Sequence, residues 1–259
     1  LQLRQRLTAW LRYSVVARFC VSAKELNPSP PMPTFADRLL HFLTNFPLPT
    51  ALPDEVEAVS PYRQAVPHAL LTQFTQRFYA DNQPRVALLG INPGRLGNGR
   101  TGVAFTDPVA LTACGISNSL PQQREPSSQF VHLMMEAMGG PVAFYQRFYI
   151  GSLYPLVLLR HGRNYNYYDS PALTSALDSD IRISLQRQVS ELGLVREVAV
   201  CLGRRNGQYL QRFNQELQLF DHIHVLDHPR YIMQYRRREL PEHIARYQEV
   251  LQNSLQLSA

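Results

Sequence analysis

The sequence predicts an α/β protein of three layers, α/β/α, built on a central four-stranded parallel sheet with an N-terminal helical preface. Four short apolar runs carry the prediction: RVALLGI (85–91), RFYIGSLYPLVLL (147–159), EVAVCLG (197–203) and HIHVLDH (222–228). Their continuous apolar character is that of strands covered on both faces. Helix-like stretches, SSQFVHLMMEAM, DIRISLQRQVSELG and NGQYLQRFNQEL, separate them. Such alternation is the signature of strand–helix–strand units in a parallel sheet. A chain of 259 residues, 45% apolar and 18% charged, can bury a full core in one large domain.

In chain order, residues 1–31 come first as a basic leader. They carry Arg4, Arg6, Arg12, Arg18 and Lys24 against Glu25, a net +4 of the chain's total of +6. The segment ends in NPSPP, and MPTFADRLLHFL follows it with the look of a natural start. Residues 1–31 are therefore read as a non-native or disordered leader, with an Arg-rich, acid-poor targeting peptide as the alternative. Residues 32–259 are read as a single domain. Residues 34–46 and 65–80 predict two helices, the first with Thr34 as N-cap, the second with Leu70, Leu71, Phe74 and Phe78 at helical spacing. PLPTALPDEVEAVSPY between them reads as a proline-rich surface connection. After the first strand, Asp107-Pro108 before VALTAC is a helix N-cap with proline at the first helical position.

Composition removes several function classes. No apolar run approaches the roughly 20 residues needed to span a bilayer, so no membrane role is expected. Cys20, Cys114 and Cys201 are odd in number and far apart. They make neither a disulfide framework nor a Cys-x-x-Cys metal site, and a reducing cytoplasm is the expected compartment. Beyond Met32 there is no lysine, which excludes a Walker A loop and Schiff-base chemistry in the folded body.

The arginines are placed with a pattern. Arg95 and Arg100 follow the first strand run, Arg160 and Arg163 the second, Arg204 and Arg205 the third, and Arg230 with Arg236, Arg237 and Arg238 the fourth. Ligands of open parallel sheets sit beyond the carboxyl ends of the strands, so this rim suits a polyanion.

At that rim the first strand runs into GINPGRLGNGR. Asn-Pro-Gly is ordinary turn chemistry. The glycine order reverses the dinucleotide fingerprint, and no acidic residue closes a second strand about 20 residues on. What the stretch offers is Asn92 held by Pro93, then glycines that let something approach the backbone. HIHVLDHPR offers a rival in the metal-ligating set His222, His224 and His228. His228, after its strand and before Pro229, lies on the same rim as Asn92.

Together these stretches resemble the SMUG family, the single-strand-selective monofunctional uracil-DNA glycosylases. The family's first motif, Gly-Met-Asn-Pro-Gly-Pro-Phe-Gly followed by Thr-Gly-Val-Pro-Phe, resembles GINPGRLG (90–97) and TGVAF (101–105). Its Pro-Glu-Val-Ser-Gly segment is similar to REPSSQF (124–130), its His-Asn-x-Cys-Pro-Leu segment to GSLYPL (151–156), and its His-Pro-Ser-Pro-Arg motif to HPR (228–230). Absence of the second-strand Asn and of the Pro-Ser in the last motif points to the bacterial branch.

The resemblance implies a DNA glycosylase that acts without cofactor or metal, as a monomer, on DNA containing uracil or another deaminated base. Asn92 would position the attacking water and His228 would hydrogen-bond the uracil O2. Phe105 would stack on the extruded base, and the main chain around Ile91 and Gly94 would read its edge or hold a phosphate. Ser152 stands where the family's Asn pairs with uracil, which puts base identity in question. Arg95, Arg100, Arg163, Arg230, Tyr231, Arg236 and Arg237 are the candidate DNA contacts. RYIMQYRRR (230–238) suits a flipping enzyme, with an amphipathic helix start as its other reading. RNYNYYD (163–169) reads either as stacking and phosphate contacts or as a loop made rigid by its tyrosines.

Overall fold

The computed structural model describes residues 32–258; the basic leader and Cys20 lie outside the described residues. The preface is α1 (Phe35–Thr44). Its N-terminus is closed by a reciprocal cap: Thr34 Oγ1 accepts the Asp37 N–H, and the Asp37 carboxylate accepts the Thr34 N–H. The link after it is not irregular throughout, as its prolines suggest. It holds a short strand, β1 (Val56–Val59), and a 3-10 turn before α2 (Ala65–Phe78).

The first apolar run is β2 (Arg85–Gly90), buried along its whole length. Its buried arginine is fully paired: Arg85 donates to the Tyr145 and Gln83 carbonyls and to Asp81, between the rings of Phe35 and Tyr79. Four helices follow: α3 (Asn98–Thr101), α4 (Pro108–Ala113), α5 (Pro126–Ala137) and α6 (Gly140–Arg147).

The second apolar run, expected as one strand, is two: β3 (Phe148–Ser152) and β4 (Val157–Arg160). The cause lies between them. Leu153 and Tyr154 donate their N–H groups to the Gly90 and Ile91 carbonyls, at 2.9 and 3.2 Å, and so turn the chain over the end of β2. Pro155 has no N–H with which to continue a ladder. β4 instead pairs antiparallel with β1 and with β5 (Arg163–Asn164), forming a second, three-stranded sheet. Arg160 and Arg163 therefore belong to a hairpin of that sheet and not to the end of β3, a correction to the four-strand pattern of the basic rim.

The chain then alternates as expected through α7 (Pro171–Leu192), β6 (Leu194–Leu202), α8 (Arg204–Leu217), β7 (His222–Leu226), α9 (Pro229–Tyr235) and α10 (Leu240–Leu257). The main sheet is parallel, in the order β3-β2-β6-β7. Helices pack around it in two groups, α7 with α1 and α8, and α10 with α5, giving the three-layer arrangement. Among the described residues no helix is long and apolar enough to cross a membrane.

Candidate functional site

The carboxyl ends of β2, β3, β6 and β7 open into one cleft of about 760 Å³, within the size range of ligand sites. Its floor is set by the last residue of β2. A side chain at Gly90 would place its Cβ 2.7 Å from Phe105 Cε2 and Cζ, so glycine there is what lets the Phe105 ring lie against the strand end. Phe105 holds this position with a left-handed backbone, φ 51°, a conformation that costs energy outside glycine.

Two residues beyond Gly90, Asn92 is clamped at both ends of its amide. Nδ2 donates to the Tyr165 carbonyl at 3.1 Å, and Oδ1 accepts the Tyr167 N–H at 3.2 Å. These partners fix which end is oxygen and leave Oδ1 a second lone pair. The clamp is itself anchored. The Tyr167 hydroxyl donates to Asn206 Oδ1 at 2.7 Å, while Asn206 Nδ2 donates to the Leu89 and Leu202 carbonyls on β2 and β6. Tyr167 is fully buried, which favours the rigid-loop reading of RNYNYYD.

His228 follows β7 and caps α9, its Nδ1 accepting the Arg230 N–H at 3.1 Å. The ring packs over Gly203, at the end of β6, and its centroid lies 5.9 Å from that of Phe105. Burial first, and then the Arg230 charge, lower the His228 pKa to about 4.

Of the sequence-predicted residues, Ile91, Asn92, Gly94, Phe105, Ser152, His228, Arg230 and Tyr231 line the cleft together. Arg95, Arg100, Arg163, Arg236 and Arg237 are outside its lining. Arg95 is joined through its N–H to Asn164, which is a cleft residue, and Arg100 reaches Gln123, which is another. Arg236 bonds Tyr231 and Glu239. Arg124, Arg204 and Arg205 line the cleft as well; Arg204 is paired with Asp227 and Arg205 stacks on Tyr168. Among the described residues no three His, Cys, Asp or Glu side chains gather as a metal group, and His222 and His224 lie outside the cleft lining.

One glycine of the first motif, Gly97, serves a different end from the one expected, while Gly94 lines the cleft with nothing closer than 3.4 Å to where its Cβ would stand. The space where Gly97 would carry a Cβ is taken by the Glu125 carboxyl group, not left open to a ligand. Glu125 lines the cleft, and burial, then Asp107, push its pKa up. The Arg230 charge, the Gly97 N–H and the Arg100 charge pull the other way. Asp107 caps α4 through Ala110 N–H and accepts the Glu125 N–H with its other oxygen. Sequence reasoning missed Glu125, Asn98 and Asn206. Only Glu125 had a signal, its place beside Pro126 in REPSSQF.

Comparison with known proteins follows the same lines. Residues 77–252 match the family described as the Uracil DNA glycosylase superfamily. The chain is similar to the crystal structure of wild-type Pedobacter heparinus SMUG2, with 36% identity over 87% of this chain and 100% of that one, at a TM-score of 0.83. No curated protein matches the chain.

Proposed function

The chain belongs to the uracil DNA glycosylase superfamily, and from that premise we propose that it removes uracil and other deaminated bases from DNA, opening base excision repair. The observation that carries the reading is that Asn92 and His228, from the ends of two strands with β6 between them, line one cleft beside Phe105.

The residues suit N-glycosidic hydrolysis as follows. An extruded base stacks on Phe105. As its bond to C1′ breaks, the electron pair leaves with the base and negative charge gathers on the O2 oxygen. His228 is neutral and its Nδ1 is engaged as an acceptor, so the proton sits on Nε2, available as a donor to that oxygen. The sugar left behind is oxocarbenium-like. Water held by the free lone pair of Asn92 Oδ1 bonds to C1′ and loses its proton to the departing anion or to solvent. An amide cannot deprotonate water, so the order of events matters: the cation forms before capture. Arg230 and Tyr231, with Arg95, Arg100, Arg163, Arg236 and Arg237 around the cleft, are assigned to the DNA backbone and the gap left by the base.

The test is incubation of a uracil-containing oligonucleotide with the protein, then alkali to break the chain at abasic sites. Strand breaks are expected with the wild-type protein and not with Asn92→Ala or His228→Ala. An intact strand with the wild type, despite binding, would mark a nucleic-acid-binding relative without turnover.

A further inference from the structure

Beside the cleft lies a smaller pocket of about 30 Å³, room for about one water molecule. Three residues line both this pocket and the cleft: Asn98, Ala104 and Ser152. Ser152 and Ala104 are positions at which the chain departs from the SMUG pattern, each with a smaller side chain. Asn98, the first residue of α3, is only 7% exposed, and its Oδ1 is buried without a hydrogen-bond partner. Tyr62 lines the same pocket, and the Asn98 oxygen is the end of the amide left without a partner. A buried acceptor without a partner is costly unless a ligand completes it.

The chemistry of the bases says what could complete it. Cytosine and adenine present a bare ring nitrogen next to their exocyclic amino group. Their deamination products, uracil and hypoxanthine, carry a ring N–H there beside the new oxo group. The Ser152 hydroxyl rotates and can donate or accept, so it cannot tell these two edges apart. A fixed amide oxygen can, because it attracts the N–H and repels the lone pair.

Resting on the glycosylase reading above, we propose that Asn98 is a specificity-determining residue of the cleft whose Oδ1 accepts the ring N–H created by deamination. It supplies from α3 the amide that Ser152 does not supply from β3.

The experiment compares single-turnover excision of uracil and of N3-methyluracil, which lacks the N–H, from otherwise identical single strands. The wild-type protein is expected to favour uracil by at least about tenfold, the worth of one hydrogen bond. Asn98→Ala should bring the ratio near one, and Asn98→Asp, which keeps an oxygen at the site, should preserve it. Where alanine unfolds the protein in a thermal melt, the aspartate variant decides: loss of discrimination there overturns the assignment. So does an unchanged ratio in a folded Asn98→Ala protein, where both rates fall together and the residue is structural. A wild-type protein that cleaves neither strand removes the glycosylase reading itself, and this proposal with it.

Discussion

His228 Nδ1 accepts the backbone N–H of Arg230 at 3.1 Å, and this bond decides the state of the imidazole. Charging the ring would put a second proton on Nδ1, opposite an N–H donor, and break the cap of α9. Burial and the Arg230 guanidinium lower the pKa to about 4, against about 6.5 for an ordinary histidine. The group's contribution to stability is therefore complete above the unfolded value near 6.5 and drains as pH falls through about 4. The acid limb of uracil excision should likewise centre near pH 4, and Arg230→Ala should move it upward. Single-turnover rates between pH 4 and 8, with thermal melts at the same pH values, test both; a limb centred near 6.5 contradicts the assigned tautomer.

Asn206 holds Asn92, the residue proposed to position the attacking water, at one remove. Its Nδ2 ties the ends of β2 and β6, and its Oδ1 receives the Tyr167 hydroxyl, whose backbone holds Asn92. Asn206→Ala should lower kcat by roughly 10- to 100-fold while KM stays within about threefold, because a displaced water costs rate and not base stacking. Tyr167→Phe breaks the same hydroxyl contact, so the double variant should be little worse than Asn206→Ala. Additive losses would mean that the two act separately.

How much of this was legible beforehand follows from what each feature depends on. The parallel strands showed because a strand buried on both faces must be apolar throughout, as VALLG is in β2. Asn92 showed because it closely follows such a run; His228 follows the half-buried HIHVL of β7 and showed by its place before Pro229 on the same rim. The split of the second run left only Pro155 as its trace in the sequence, since Leu153, Tyr154 and Leu156 are as apolar as the strands beside them, and the bonds to Gly90 and Ile91 place the turn. That hidden turn also misplaced Arg163. Asn98 and Asn206 were invisible for another reason: a buried asparagine looks in sequence like an exposed one, and its role rests on partners far away along the chain.

Ser152 predicts breadth of substrate. It ends β3 opposite Gly90 and lines the cleft with a single hydroxyl where an amide would offer both a donor and an acceptor. The wild-type protein should therefore release hypoxanthine or xanthine as well as uracil. Ser152→Asn should narrow the range toward uracil by filling space beside Ala104 and fixing a second amide at the base edge. Excision rates for the three bases in one sequence context measure this, and an unchanged profile in the variant would detach Ser152 from specificity.

Tyr231 and Tyr235 stand one helical turn apart on α9 at the cleft, 40% and 72% exposed, with ring centroids 5.6 Å apart. Between them Ile232 and Met233 are buried and hold the helix down, so the two rings are presented on a rigid support. A base drawn out of a duplex leaves a gap in the stack, and an aromatic ring filling it offsets part of the unstacking cost. A single strand has no paired stack to repair. Tyr235→Ala should then lower kcat/KM on duplex substrate by about tenfold, the order of one base–aromatic stack, and change single-strand excision little. Equal losses on the two substrates would show instead that the ring grips the strand, because a backbone contact is lost wherever the backbone is present.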